Sequence, residues 1–326
     1  MTTLESLKKC TTIVADSGDM ETAKKYLPQD ATTNPSLILA ATKLESYRHL
    51  LDEATEYSRK VAEKRNVSPR ELSNLALDKL IVNFGVAYLN IIPGRVSTEV
   101  DARLSHDTEE TVKKARALVA LYEDAGIHRD RILIKVAGTW EGVEAVRILE
   151  GEGIHCNVTL IFSLIQAAAA AEAGATLVSP FVGRISDWYQ QHPEADSDSD
   201  GFDRGVASVK RIYAYFRAHH YNTIVMGASF RTAEQIIQLT GIDFLTISPK
   251  LLEQLQGMQT QVDPQAVLNL PAGETVPTKK LQISRESFEK GLQADRMASE
   301  LLKDGIERFD KDAQTLEAQL VALLTQ

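Results

Sequence analysis

One cation interrupts an apolar run in this chain. The segment Arg131-Ile132-Leu133-Ile134-Lys135-Val136-Ala137-Gly138 reads as a short β-strand, rich in β-branched residues and closed by a glycine. Strand side chains alternate, so Leu133, Lys135 and Ala137 share one face while Ile132, Ile134 and Val136 share the other. A lysine in such company must be desolvated, paired or chemically used. Desolvation favours the neutral amine of a lysine, which is a nucleophile for carbonyl carbon. Snorkelling to solvent from the strand end is the bland alternative.

Other polar residues fall at the ends of apolar runs: Asp16, Thr33 with Asn34, Glu99 with Asp101, Asn157 with Thr159, Ser179, and Ser229 with Arg231. Parity puts Asn157 with Thr159, Ser229 with Arg231 and Glu99 with Asp101 on common faces. A lysine that forms a Schiff base with a ketone turns the adjoining carbons into an electron sink. Making and breaking that adduct moves protons, which suits a carboxylate and a hydroxyl holding a water: Glu99 and Thr159. A second carboxylate, Asp16, can take a hydroxyl proton and so trigger carbon–carbon cleavage. Arg184 and Arg231, with Ser229, offer fork-shaped donors for a phosphate.

Simpler roles stand beside these. Asp16 precedes the turn-forming Ser17-Gly18, Asn34 is a helix cap, Glu99 and Asp101 can pair with Arg95 and Arg103, and the two arginines suit helix starts on a surface. No metal-ligand spacing competes: Cys10 and Cys156 form no framework, Cys156 reads as a small buried apolar residue, and the seven histidines, His219-His220 included, read as solvated surface.

Eight strand-like segments, at about 11–16, 31–33, 94–100, 131–138, 154–160, 175–179, 223–229 and 244–248, alternate with helical ones. That order predicts a parallel sheet, and the count of eight predicts an α/β protein of the (β/α)8 TIM-barrel kind, one domain over 1–326. A doubly wound open sheet is the alternative, but no Gly-x-Gly-x-x-Gly follows the first strand. In a barrel, the polar strand ends named above converge on one face. Asn34-Pro35 opens a helix, and Ser68-Pro69-Arg70-Glu71 reads as a capping box. After Ser179, residues 181–184 lead into a longer connection. Its acids at 196–200 resemble the start of an EF-hand loop, but the twelfth position is Ala207, so a solvated loop is expected. Residues 258–283 read as an irregular excursion, and one long helix from Ser284 to about 325 is expected across the outside of the body.

A net charge of -9 supplies no basic face for nucleic acid. No run approaches a membrane span, and Met1–Lys9 lacks signal-peptide order, so a cytoplasmic protein is expected.

Several stretches resemble the transaldolase family: Asp30-Ala31-Thr32-Thr33-Asn34-Pro35-Ser36-Leu37, Pro93-Gly94-Arg95-Val96-Ser97-Thr98-Glu99-Val100-Asp101, Ile132-Leu133-Ile134-Lys135 followed by Thr139-Trp140-Glu141-Gly142, Ser179-Pro180-Phe181-Val182-Gly183-Arg184, and Met226-Gly227-Ala228-Ser229-Phe230-Arg231. The resemblance runs in order from about residue 10 to 256 and continues into the C-terminal helices. It implies a (β/α)8 barrel of the class I aldolase kind. The implied reaction transfers a dihydroxyacetone unit between sugar phosphates in the non-oxidative pentose phosphate pathway. Sedoheptulose 7-phosphate and glyceraldehyde 3-phosphate would exchange with erythrose 4-phosphate and fructose 6-phosphate. Lys135 is then the Schiff-base residue, Asp16 the base at the C4 hydroxyl, and Glu99 with Thr159 the water-linked proton shuttle. Thr33, Asn34, Asn157 and Ser179 are substrate-binding, with Arg184, Ser229 and Arg231 at the phosphate. Neither a metal nor an organic cofactor is implied, and a homodimer is. Val136-Ala137-Gly138 is less polar than the family's usual continuation after the lysine. An aldolase that releases dihydroxyacetone to water, and a catalytically silent sugar-phosphate-binding barrel, are the competing readings.

Overall fold

Eight parallel strands close into a barrel in chain order: β1 (Thr12–Asp16), β2 (Asp30–Thr32), β3 (Val96–Glu99), β4 (Ile132–Ala137), β5 (Cys156–Ile161), β6 (Leu177–Pro180), β7 (Ile224–Gly227) and β8 (Phe244–Ile247). The computed structural model describes residues 1–195 and 201–325, so the acidic run at 196–200 lies outside the described residues. Among the described residues no helix is long and apolar enough to cross a membrane.

The alternation read from the sequence decides which side chains fill the barrel. Ile132, Ile134 and Val136 face outward and join the main core beneath the helices. Val14, Leu133, Leu177 and Met226 face inward as one apolar plug. Above that plug the interior turns polar, because pairing sets Asp16 level with Thr32, Glu99 with Lys135, and Lys135 with Asn157. Paired residues in adjacent strands point the same way, so the polar ends converge at the C-terminal mouth. A lysine there is held at 5% exposure, which removes the snorkelling alternative.

Four sequence expectations change. Ser68 caps the helix Pro69–Leu89 by accepting from the Glu71 amide, but the return bond of a capping box is missing, since Glu71 pairs with Arg65 at 2.8 Å. Residues 182–191 are a helix rather than a loop, so Arg184 stands in a first helical turn. The C-terminal helix is two helices, Arg285–Ala294 and Arg296–Leu324, because Asp295 leaves helical geometry and caps the second through the Ala298 amide. His219 is half-buried rather than fully solvated: its Nε2 meets the Pro277 carbonyl at 2.9 Å and helps pin the 258–283 excursion.

The last helix also lies elsewhere than expected. It crosses the barrel mouth rather than the outside of the helical ring. Ser36 bonds Asp312, Ser73 donates to Glu317 at 2.8 Å, and Arg103 donates to Glu317 at 3.2 Å. Gly305 permits the approach, because a Cβ there would stand 2.7 Å from Leu160 Cδ2. Leu302, Phe309, Leu316 and Leu320 are buried beneath it, each contributing on the order of 1.5–3 kcal/mol of apolar burial.

Candidate active site

A cavity of about 260 Å³ opens at the mouth of the barrel, and Lys135 stands in its wall. Lys135 Nζ lies 3.1 Å from Glu99 Oε2 and donates to the Thr33 carbonyl at 3.4 Å. The Glu99 contact is an ion pair without hydrogen-bond alignment, so Oε2 is buried with no hydrogen-bond partner. Burial pushes the Glu99 carboxyl above its ordinary value, against the pull of Lys135. Thr159 Oγ1, on the strand beyond Lys135, is buried and unpartnered too. Leu160 beside it is left-handed, with φ 55, and the pairing of β5 with β6 slips between Val158 and Ile161. Gln166 braces this bend by donating to the carbonyls of Gly138 and Leu160.

Across the barrel, Asp16 accepts from Thr32 Oγ1 at 3.1 Å, and Thr32 meets Thr246 at 2.9 Å. Burial outweighs Lys135, Thr32 and Arg184 here and raises the Asp16 carboxyl above its ordinary value. Asn34 caps the helix Pro35–Ala41 through Oδ1, leaving its amide nitrogen to donate at the cavity wall. Asn157 is fully buried. It donates to Ser97 and accepts from Ser179, which orients the Ser179 hydroxyl at the cavity.

The arginine side of the cavity is built by backbone pairing between two loops. The first amides of the helix Val182–Gln191, those of Val182 and Gly183, donate to the carbonyls of Ala228 and Ser229 at 2.8 Å each. Only glycine fits at 183, since a Cβ would stand 2.3 Å from the Ser229 oxygen. Ser229 itself is left-handed, with φ 59, a cost seen mainly at functional sites. This clamp brings Arg184 and Arg231 to one wall. Arg231 is held by Asp187 at 2.8 Å, while Arg184 Nη1 is buried without a partner.

Of the eleven residues singled out from sequence, Asp16, Asn34, Lys135, Ser179, Arg184, Ser229 and Arg231 line the cavity. Glu99, Asn157 and Thr159 stand behind that wall. Thr33 is not part of it: its hydroxyl donates to the Ser97 carbonyl, and Thr32 takes the inward place. Strand parity with Asp16 signals Thr32, and the same parity signals Thr246 on β8. Phe309, which also lines the cavity, has no local signal, because it reads as one more apolar position on a helix. Among the described residues no group of three or more His, Cys, Asp or Glu side chains could hold a metal.

The family model described as Transaldolase/Fructose-6-phosphate aldolase matches residues 13–320. The chain belongs to this family. It is 51% identical over 325 residues to Transaldolase A of Escherichia coli (strain K12), covering 99% of this chain and 100% of that one. It is 51% identical over 321 residues to the Probable transaldolase of Dictyostelium discoideum, covering 98% and 99%. A Transaldolase of Prochlorococcus marinus (strain MIT 9313) is 51% identical over 320 residues, covering 98% and 81%. The two activities joined in the family's description differ in whether a three-carbon unit is passed on or let go, so this transaldolase-family site has to be read for what it does after cleavage.

Proposed function

We propose that the barrel mouth cleaves a ketose phosphate through a Schiff base on Lys135 and hands the retained dihydroxyacetone unit to an aldehyde. The family and its close relatives make this chain a transaldolase of the pentose phosphate pathway, acting on sugar phosphates. What supports the mechanism is one observation: a lysine at 5% exposure, beside an unaligned carboxylate at 3.1 Å, in the wall of a polar cavity.

In this reading the Lys135 amine adds to the ketone carbon of fructose 6-phosphate or sedoheptulose 7-phosphate. Glu99 takes and returns the protons of carbinolamine formation and dehydration, through a water held between its carboxylate and Thr159. The adduct draws electrons from the neighbouring bonds. Asp16, whose burial raises its proton affinity, accepts the C4 hydroxyl proton, and the C3–C4 bond breaks. An aldose phosphate leaves and an enamine stays on Lys135. Asn34 and Ser179 hold its hydroxyls, Asn157 acting through the Ser179 hydroxyl that it orients, and Arg184, Ser229 and Arg231 hold the phosphate of donor or acceptor. Condensation with erythrose 4-phosphate or glyceraldehyde 3-phosphate reverses the steps. We extend the family resemblance to one catalytic unit over 1–326, a homodimer and a cytoplasmic setting, of which light scattering tests the second.

Borohydride reduction in the presence of fructose 6-phosphate, with intact mass and peptide mapping, tests the mechanism. A dihydroxyacetone-sized adduct on Lys135 is expected. An adduct elsewhere, or none, ends the Schiff-base assignment.

A further inference from the structure

The ring of Phe309 comes from the last helix, far along the chain from any strand, yet its centroid lies 5.9 Å from Lys135 Nζ and 5.6 Å from Arg184 Cζ. It is 2% exposed and lines the cavity between the amine and the arginines. The cavity wall also carries Asp16, Thr32, Ser179 and Thr246, all able to hold water, together with apolar residues such as Phe181 and Met226. Phe309 sets an aromatic ring within 5.9 Å of the reacting nitrogen. Three polar contacts, at Ser36, Ser73 and Arg103, fix its helix across the mouth.

We propose that Phe309 is a specificity-determining residue that selects transfer of the dihydroxyacetone unit over its loss to water. The inference rests on the Schiff-base reading above. Loss begins when the enamine carbon takes a proton, giving an iminium. Water then adds to the iminium carbon, the carbon–nitrogen bond breaks, and the Lys135 amine, free dihydroxyacetone and one proton are returned. The net consumption is one water. An acceptor aldehyde instead forms a carbon–carbon bond at the enamine carbon, the one that would otherwise take the proton. The hydrolysis that frees the product in both routes uses the water at Glu99 and Thr159. A ring packed over the adduct keeps stray water, the proton source for the enamine carbon, away from it while leaving the aldehyde's approach from the arginine side open. Its face also favours the cationic iminium that both product routes need, so the ring governs the partition rather than the existence of the adduct.

The test measures free dihydroxyacetone against sugar phosphate formed from fructose 6-phosphate and erythrose 4-phosphate, with Phe309→Ala and Phe309→Leu compared with the parent chain. Borohydride trapping on Lys135 runs in parallel. The release-to-transfer ratio is expected to rise on the order of tenfold in Phe309→Ala, and by a factor of about two to five in Phe309→Leu, which keeps apolar volume but loses the ring. Adduct formation should persist in both. Tryptophan emission reports docking of the last helix, because Trp188 donates to Glu300 on it at 2.8 Å. An unchanged ratio in a folded variant that still traps the adduct overturns the proposal. So does a ratio that rises only where the emission shows the helix undocked. Should Phe309→Ala fail to fold, Phe309→Leu carries the decision alone. Failure of the parent chain to trap any adduct removes the Schiff-base reading itself, and is told apart by that.

Discussion

The two ends of this barrel contain the same kinds of residue and treat them oppositely. At the N-terminal end, carboxylates are given hydrogen-bond donors. Glu150 accepts from the amides of Cys156 and Thr176 and from the Thr176 hydroxyl, Asp30 from the Arg95 amide, and Asp243 from the Val225 amide and Arg217. At the C-terminal mouth, Glu99 Oε2, Thr159 Oγ1 and Arg184 Nη1 are buried with no hydrogen-bond partner, and among the described residues only Arg211 Nε shares that condition. A buried polar atom without a partner costs roughly 1–3 kcal/mol. One end satisfies its polar groups and holds the fold, and the other keeps them unsatisfied and available for a substrate.

The contrast can be broken most severely at the mouth. Lys135→Ala should fold as the parent does, by circular dichroism and thermal melting, and turn over at background. Near-parental rates in that variant would remove Lys135 as the nucleophile. Asp16→Asn should lower kcat by roughly 10²–10⁴-fold, the usual worth of a positioned base. It should also stabilise the fold at neutral pH. Burial raises the folded-state Asp16 carboxyl above its unfolded value, so the native state binds more protons than the unfolded one across the interval between them. Stability contributed by that carboxyl therefore falls as pH rises through the interval and stays low above it. The melting-temperature gain of Asp16→Asn should accordingly shrink as pH is lowered through the same interval, and a gain independent of pH would contradict this account.

The other end should respond the opposite way. Glu150→Ala strands two backbone amides and a hydroxyl, and should cost about 3 kcal/mol of stability in denaturant titration with kcat almost unchanged. A comparable loss of kcat would blur the division between the ends. The smallest effect is expected at Asp187→Asn. Its pair with Arg231 is half exposed, so it is worth at most about 1 kcal/mol, and the KM for a phosphorylated acceptor should rise no more than about fivefold. The KM for an unphosphorylated aldehyde should not move if Asp187 acts through Arg231.

Period-two alternation was enough to set Lys135 with Leu133 and Ala137 on one face of its strand, because alternation is a local property of any strand; burial in the barrel decided against snorkelling. Polar residues at strand ends gave Asp16, Glu99, Asn157 and Ser179, and missed Thr32 only by taking the last residue of the segment in place of its neighbour. Asn34 was legible as a cap from Asn34-Pro35 alone. The helix Val182–Gln191 was not, since its start is fixed by carbonyls of Ala228 and Ser229 that lie far along the chain. The break at Asp295 was hidden for a similar reason, as an aspartate in a helical pattern does not announce that its side chain will cap the next helix. What the sequence determined by itself was the identity of most elements and which residues share a face of a strand, both set by neighbours a few residues away. What tertiary structure alone decided was closure: which loops share a wall, that Gly183 must yield to the Ser229 carbonyl, and that Phe309 comes to rest over Lys135. Those contacts join residues dozens to hundreds of positions apart, and only the register of a closed barrel specifies them.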